Sequence, residues 1–309
     1  TFSGCSETGS SWHGTQTAGL VTAATNNGIG MAGLGRNVRV LPVRVLGKCF
    51  GYDDDIIAGI RWAAGLTVAG VPTNPNPAKV ISLSLGSAGS CDSAYEEAVR
   101  EAIAAGASVV VSAGNDSLAV NAPANCAGVV AVAGIRHVGT KIGYSSLGPE
   151  VTIAAPGGNC FNDTGECLYP ISSTSNTGST IPVAASYTSG GDDYAVGTSF
   201  SAPQVSAAIG LMLSANPTLT PSQVTSLLQD TARTFPTTGA SSDPTVSTGA
   251  ACLAPSAAEQ ARECYCTTAT CGAGMLDAGA AVKAAAAGRL VANIVDDSSL
   301  IAVGASGAF

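Results

Sequence analysis

Charged side chains are few. Asp, Glu, Lys and Arg make up 11% of the 309 residues, with 13 basic against 21 acidic groups and a formal net charge of -8. A chain without a basic excess has no electrostatic footprint for nucleic acid or for an anionic membrane surface. Long apolar runs are also missing: none reaches the roughly 18 residues that a bilayer-crossing helix needs, so no membrane span is expected. Histidine occurs only 2 times, which leaves two imidazoles as candidates for a general base. Thr1 does not begin a signal peptide, so a signal and a folding propeptide, if encoded, are expected upstream. What is plentiful is apolar: 46% of the chain is hydrophobic, enough for one α/β domain to bury a large core and enough to exclude disorder.

Helical and strand patterns alternate along the chain, which implies an α/β fold with a mostly parallel central sheet flanked by helices on both faces. Helices are expected near 13–24, 53–65, 93–105, 199–214, 220–232 and 275–287, and strands near 38–46, 79–85, 108–113, 129–134 and 151–154. Asp53, Asp54 and Asp55 head the second helix, where carboxylates cap orphan N–H groups and oppose the dipole, a reading preferred to metal binding. The stretches 66–78, 158–192 and 236–263 read as surface insertions. Residues 1–287 form the domain and 288–309 a tail or linker. Gly28-Ile29-Gly30-Met31-Ala32-Gly33 matches G-x-G-x-x-G, but that fingerprint requires a strand before it and a helix after. Here a helix precedes and the 38–46 strand follows, so a dinucleotide site is rejected.

Gly197-Thr198-Ser199-Phe200-Ser201-Ala202-Pro203 places one hydroxyl at a glycine-framed turn entering an apolar helix. Pro203 lacks the N–H that would point at the Ser199 carbonyl, which the first turn does not need. Ser199 then lies at the positive end of a helix dipole, a favourable place for an oxyanion, and needs a base to take its proton. His13 opens a small-residue helix start, His13-Gly14-Thr15-Gln16-Thr17-Ala18-Gly19, whereas His137 reads as a loop residue, more often structural than catalytic. The β-branched run ending Ser112-Ala113-Gly114-Asn115 aims an amide out of a sheet's carboxyl edge. Asn115 is either an oxyanion donor or an ordinary turn asparagine.

His13, Asn115 and Ser199, in that order, resemble the subtilisin-like serine proteases, the subtilases. Further stretches in family order carry the resemblance: Val40-Leu41-Pro42-Val43-Arg44-Val45-Leu46, Val80-Ile81-Ser82-Leu83-Ser84-Leu85-Gly86, Tyr144-Ser145-Ser146-Leu147-Gly148-Pro149 and Ile153-Ala154-Ala155-Pro156-Gly157. The resemblance covers most of residues 12–287 and is to a disulfide-rich, secreted bacterial branch. It implies a serine endopeptidase acting on protein or peptide substrates, with Ser199 as nucleophile, His13 as base, and Asn115 with the Ser199 N–H as oxyanion hole. It implies that Ser84, Leu85 and Gly86 pair with the substrate backbone, while Ser112, Ala113, Gly114 and the loop at Asn121 wall a pocket for an apolar or modest-sized side chain, with Ala122-Pro123 as a cis peptide. The loop at 28–33 is one that holds calcium in the family, with Asn27 as the matching side chain.

The family's third triad residue, an aspartate in an Asp-x-Gly motif upstream of the histidine, has no counterpart among the 12 residues before His13, where Glu7 is the only acid. The domain is therefore read as truncated at its amino end, with the aspartate on a missing amino-terminal segment. The 10 cysteines suggest an oxidising, extracellular setting. Resemblance pairs Cys5 with Cys49, Cys91 with Cys126 and Cys160 with Cys167. The remaining four are assigned as Cys252 with Cys264 and Cys266 with Cys271 rather than as zinc ligands, because they lack the paired spacing of structural zinc sites. Two other functions stand behind the endopeptidase: an inactive peptide-binding or scaffold module, and an unrelated esterase, which lacks the G-x-S-x-G elbow.

Overall fold

A computed structural model describes residues 9–47, 50–160, 169–188, 195–238, 250–255 and 263–296. The main sheet has four parallel strands in the order β1 (Val80–Leu83), β2 (Ser108–Ser112), β3 (Val130–Ile135) and β4 (Val151–Pro156), all within two residues of the strands expected from sequence. Val80 pairs with Ser108 and Leu83 with Val111 across β1 and β2. β2 is Ser-Val-Val-Val-Ser and buried throughout, as a parallel strand with both faces covered must be.

Alternate side chains feed two cores. On one face, Val110, Val130, Val132 and Ile153 pack against Val205, Ile209 and Met212 of α4 (Thr198–Ala215), with Val224 and Leu228 of α5 (Pro221–Asp230) and Ala281 of α6 (Ala278–Asp296) beyond. On the other, Ile81, Leu83, Val109 and Val111 meet Ile56 and Ile60 of α2 (Asp53–Ala63) and Val99 and Ala102 of α3 (Ser93–Ala104). Burying each Val, Ile or Leu contributes about 1.5–3 kcal/mol before the entropic cost of ordering it.

The local signals are visible where helices begin. Asp92 accepts from the N–H groups of Ala94 and Tyr95, both at 2.9 Å, to cap α3, and Thr220 with Gln223 forms a capping box around Pro221 at the start of α5. α2 departs from expectation: Asp53, Asp54 and Asp55 fill its first turn, but none caps it, and Asp53 instead accepts the Tyr95 hydroxyl at 2.8 Å. That bond and burial push the Tyr95 phenol well above its usual range.

Three further expectations are corrected. Residues 38–46 form no strand: the alternating pattern is there, but a ladder needs a neighbour, and the backbone of residues 39–45 makes no hydrogen bond among the described residues. The insertion at 158–192 contains a hairpin, β5 (Thr174–Asn176) and β6 (Ala185–Tyr187). The final helix, expected to stop near 287, runs through Gly288 to Asp296, since one glycine in a helix interior costs only about 1 kcal/mol relative to Ala. The 28–33 glycines form bends after α1 (His13–Thr22), with no strand before them.

Cys91–Cys126, Cys252–Cys264 and Cys266–Cys271 are bonded as expected. The sulfurs of Cys252, Cys266 and Cys271 lie within 4.8 Å of one another, but paired sulfurs are not thiolate ligands. Cys160 is disulfide-bonded, while its expected partner Cys167, and both Cys5 and Cys49, lie outside the described residues.

Candidate active site

Ser199 is the second residue of α4, whose N-cap Gly197 has φ 148° and ψ 156°, a conformation open to glycine and strained for any residue with a Cβ. This turn lifts Ser199 to the carboxyl edge of the sheet. Pro203 leaves the Ser199 carbonyl without its helical N–H, and the Ser84 hydroxyl fills the gap, donating to that oxygen at 2.7 Å. Ser84, expected from sequence only along the substrate path, thus also anchors the turn at Ser199.

Asn115 follows β2 at the same edge. Its side-chain oxygen accepts from both the N–H and the hydroxyl of Thr198 at 2.9 Å. The amide is thereby oriented with its two donors unengaged among the described residues, beside Gly197, where a Cβ would stand 3.6 Å from Nδ2. The Thr198 hydroxyl also meets the backbone of Gly114, accepting from its N–H at 3.3 Å. Sequence reading passed over Thr198; its place between Gly197 and Ser199, 1% exposed, was the available signal.

His13 starts α1, which the β5 hairpin holds through Ser173 Oγ donating to the Gln16 carbonyl and Thr174 Oγ1 donating to the Thr15 carbonyl. A Cβ at Gly19 would collide with Thr174 and Ser173, so glycine there permits the close approach. Leu20 of α1 packs with Phe200, and the His13 ring lies 5.7 Å from the Phe200 ring, centroid to centroid. The imidazole is thus carried to the residue next to Ser199. No hydrogen bond joins His13 to Ser199 among the described residues, which by itself does not remove His13 as a candidate base. Burial holds the His13 pKa below its ordinary value of 6.5, and among the described residues no carboxylate contributes to the shift. His137 belongs elsewhere, stacked on Tyr169 at 3.8 Å.

The expected pocket walls are held by several separate hydrogen bonds. Ser112 Oγ donates to the Leu83 carbonyl at 3.5 Å, and the Ser87 N–H to the Ala122 carbonyl at 2.9 Å beside Gly86. Asn121 accepts from the Gly89 N–H at 3.3 Å and donates to Asp116 at 2.9 Å. Ala113 donates through its N–H to the Val132 carbonyl, and Leu85 packs against the core beneath. Ala122-Pro123 is cis, and Cys91–Cys126 ties the loop after β1 to the Asn121 loop. Asn27 is exposed, and its side-chain oxygen accepts from the Ile29 N–H at 3.0 Å. One committed oxygen falls short of the six to eight that calcium takes, so the described residues do not by themselves fit the ion.

A profile of the subtilase family matches residues 3–261. The chain is similar to an extracellular protease of Xanthomonas campestris, 46% identical over 230 residues, which cover 74% of this chain and 37% of the relative. It is also similar to an extracellular basic protease of Dichelobacter nodosus, 39% identical over 73% of this chain and 36% of the relative. The match therefore spans little more than a third of these relatives' lengths. Among solved structures, one described as proteases from Pseudoalteromonas arctica superposes with a TM-score of 0.75 at 41% identity, covering 90% of this chain and 72% of that one.

Proposed function

The chain belongs to the subtilase family, and from that premise we propose that it carries the catalytic centre of a serine endopeptidase. Ser199 attacks the peptide carbonyl. His13 takes the hydroxyl proton and returns it to the leaving amine, and water then releases the acyl group. The oxyanion is held by the Asn115 amide and the Ser199 N–H at the α4 terminus. The observation that carries this reading is the double hydrogen bond from Thr198 to Asn115, which spends the amide's acceptor within the fold and leaves its donors for a ligand.

The substrate lies extended along Ser84, Leu85 and Gly86, with the side chain before the scissile bond between Ser112–Gly114 and Asn121. The imidazole needs a carboxylate to fix its tautomer and stabilise its charged form. The described residues bring none to His13, and the role is assigned to a carboxylate outside them; Glu7, the one acid before His13, lies outside the described residues. A propeptide as folding partner and an extracellular location belong to the same reading, in keeping with relatives named extracellular proteases. Calcium at the Asn27 turn requires oxygens beyond those described and enters no step.

The same lack of a carboxylate favours a second reading, a peptide-binding module without turnover. Hydrolysis of a peptide p-nitroanilide by the chain joined to the upstream segment of its own coding sequence separates the two. Turnover abolished by Ser199→Ala supports the endopeptidase, and tight binding of the uncleaved peptide supports the module.

A further inference from the structure

We infer that Tyr144 is a positioning residue for the oxyanion hole, a clasp that ties the loop carrying the Asn115 amide to the turn carrying the Ser199 N–H. Its consequence for catalysis rests on the serine endopeptidase reading, whereas the clasp itself rests on hydrogen bonds alone. On the Asn115 side, residues 114–117 are fastened to residues 143–146. The Ser117 N–H donates to the Tyr144 carbonyl at 2.9 Å, and the Ser117 hydroxyl donates to the Gly143 carbonyl. Just before Asn115, the Gly114 carbonyl accepts from the Ser146 N–H at 3.0 Å; just after it, the Asp116 N–H donates to Ser146 Oγ at 3.3 Å.

On the Ser199 side the phenol makes the link. Its hydroxyl donates to the Gly157 carbonyl at 2.6 Å and also reaches the Gly158 carbonyl at 3.0 Å. The Gly157 carbonyl in turn accepts from the N–H of Gly197 at 2.8 Å, the N-cap whose φ of 148° sets the turn into Ser199. Burial pushes the Tyr144 phenol far above its usual range, although the Gly197 N–H opposes the rise, so the hydroxyl keeps its proton and stays a donor. Glycine at 157 permits this approach, since an added Cβ would stand 3.0 Å from both Tyr144 Oη and Ser201 Oγ.

The clasp stands on a firm mount. Ser145 and Ser146 are fully buried, the Gly134 N–H of β3 donates to Ser145 Oγ at 2.9 Å, and the Ile142 N–H donates to the Gly134 carbonyl at 3.3 Å. Tyr144 is thus fixed to the sheet and reaches the supports of both oxyanion donors. Stabilising a developing oxyanion requires those donors to be set relative to each other before charge appears. Thr198 joins them directly through the Asn115 side chain; Tyr144 joins them a second time through the backbone. Among the described residues the buried Gly158 carbonyl has no other hydrogen bond. Loss of the hydroxyl leaves it unpaired and loosens the corner on which Gly197 rests.

Tyr144→Phe keeps the ring and removes only the clasp. Amide hydrogen exchange at Gly197 and Thr198 is read by NMR beside that of Ala131, Val132 and Ala133 in β3. Steady-state kcat and KM for a peptide p-nitroanilide are measured with the same substitution in enzyme competent for turnover. The expected result is exchange at least about tenfold faster at Gly197 and Thr198 with β3 unchanged. In the same variant kcat is expected to fall about tenfold while KM stays within about twofold, the pattern of a loss confined to the transition state. Unchanged exchange at Gly197 overturns the clasp, as does acceleration that extends equally through β3. Faster exchange at Gly197 with unaltered kcat overturns the positioning role. Absence of any Ser199-dependent turnover before substitution counts instead against the endopeptidase reading, and the exchange at Gly197 then decides the clasp on its own.

Discussion

Asn115 owes its direction to Thr198, and the two make separable contributions. In enzyme competent for turnover, Asn115→Ala is expected to lower kcat by about 10²–10³ with little change in KM, the loss seen when one oxyanion donor is removed. Thr198→Val keeps the donor but frees the amide to rotate, so a smaller fall, on the order of tenfold, is expected. Steady-state kinetics on both variants checks the order of the two effects. His13 offers a direct titration, since the chain has only 2 histidines and both are shifted down. Burial lowers His13, and burial with the Arg136 charge outweighs Glu263 at His137. Proton NMR is expected to give both midpoints below 6.5, the ordinary value. A lowered folded pKa means that the unfolded chain binds the proton first. The associated stability is therefore complete above about pH 6.5 and is lost as pH falls through the folded value. His13→Gln should flatten that part of the stability profile in denaturant titrations at successive pH values, and a profile unchanged in slope would contradict the shift.

At the scale of elements, caps and close approaches decide where helices start and how they dock. Thr220→Ala removes half of the α5 capping box and is expected to cost about 1 kcal/mol, read as a lower urea midpoint with unchanged slope. Gly19→Ala forces a Cβ against Thr174 and Ser173, so α1 and the β5 hairpin must separate, which displaces His13. Its expected signature is lost activity with the fold retained by circular dichroism. The 38–46 segment shows where element-level reading stops. Its alternating residues do describe a strand, but strand formation requires a partner's hydrogen bonds, and a neighbour cannot be read from the segment's own pattern.

Across the whole molecule, one buried ion pair fastens the cystine-rich stretch to the sheet. Arg136, just past β3, pairs with Glu263, with side chains 4% and 1% exposed, and Thr140 donates to the same carboxylate at 2.6 Å. Glu263→Ala leaves a buried guanidinium short of its counter-ion, and a loss of about 3–5 kcal/mol is expected in chemical denaturation. The catalytic expectation also belongs to this scale. With no carboxylate beside His13 among the described residues, the 309-residue chain alone should turn over about four decades more slowly than the same chain supplied with one, a magnitude that is subtilisin's own rather than one derived from this chain. Full activity from this chain alone, abolished by Ser199→Ala, would mean that another acid such as Glu7 serves His13.

By itself the sequence determined the parallel sheet, the buried β2 and the helix starts near 93 and 220, and it singled out Ser199, His13 and Asn115 as the candidates. Each of these is written in residues a few positions apart: a period, a cap, a glycine-framed turn. Tertiary structure alone decided that Ser84 would replace the N–H missing at Pro203, that Thr198 would hold Asn115, that Asp53 would serve Tyr95 rather than its own helix, and that residues 38–46 would stand without a ladder. In the first three cases the partner is distant in the chain, 115 residues for Ser84 and Ser199 and 83 for Asn115 and Thr198, and hydrogen bonds across such distances exist only once packing has brought the elements together.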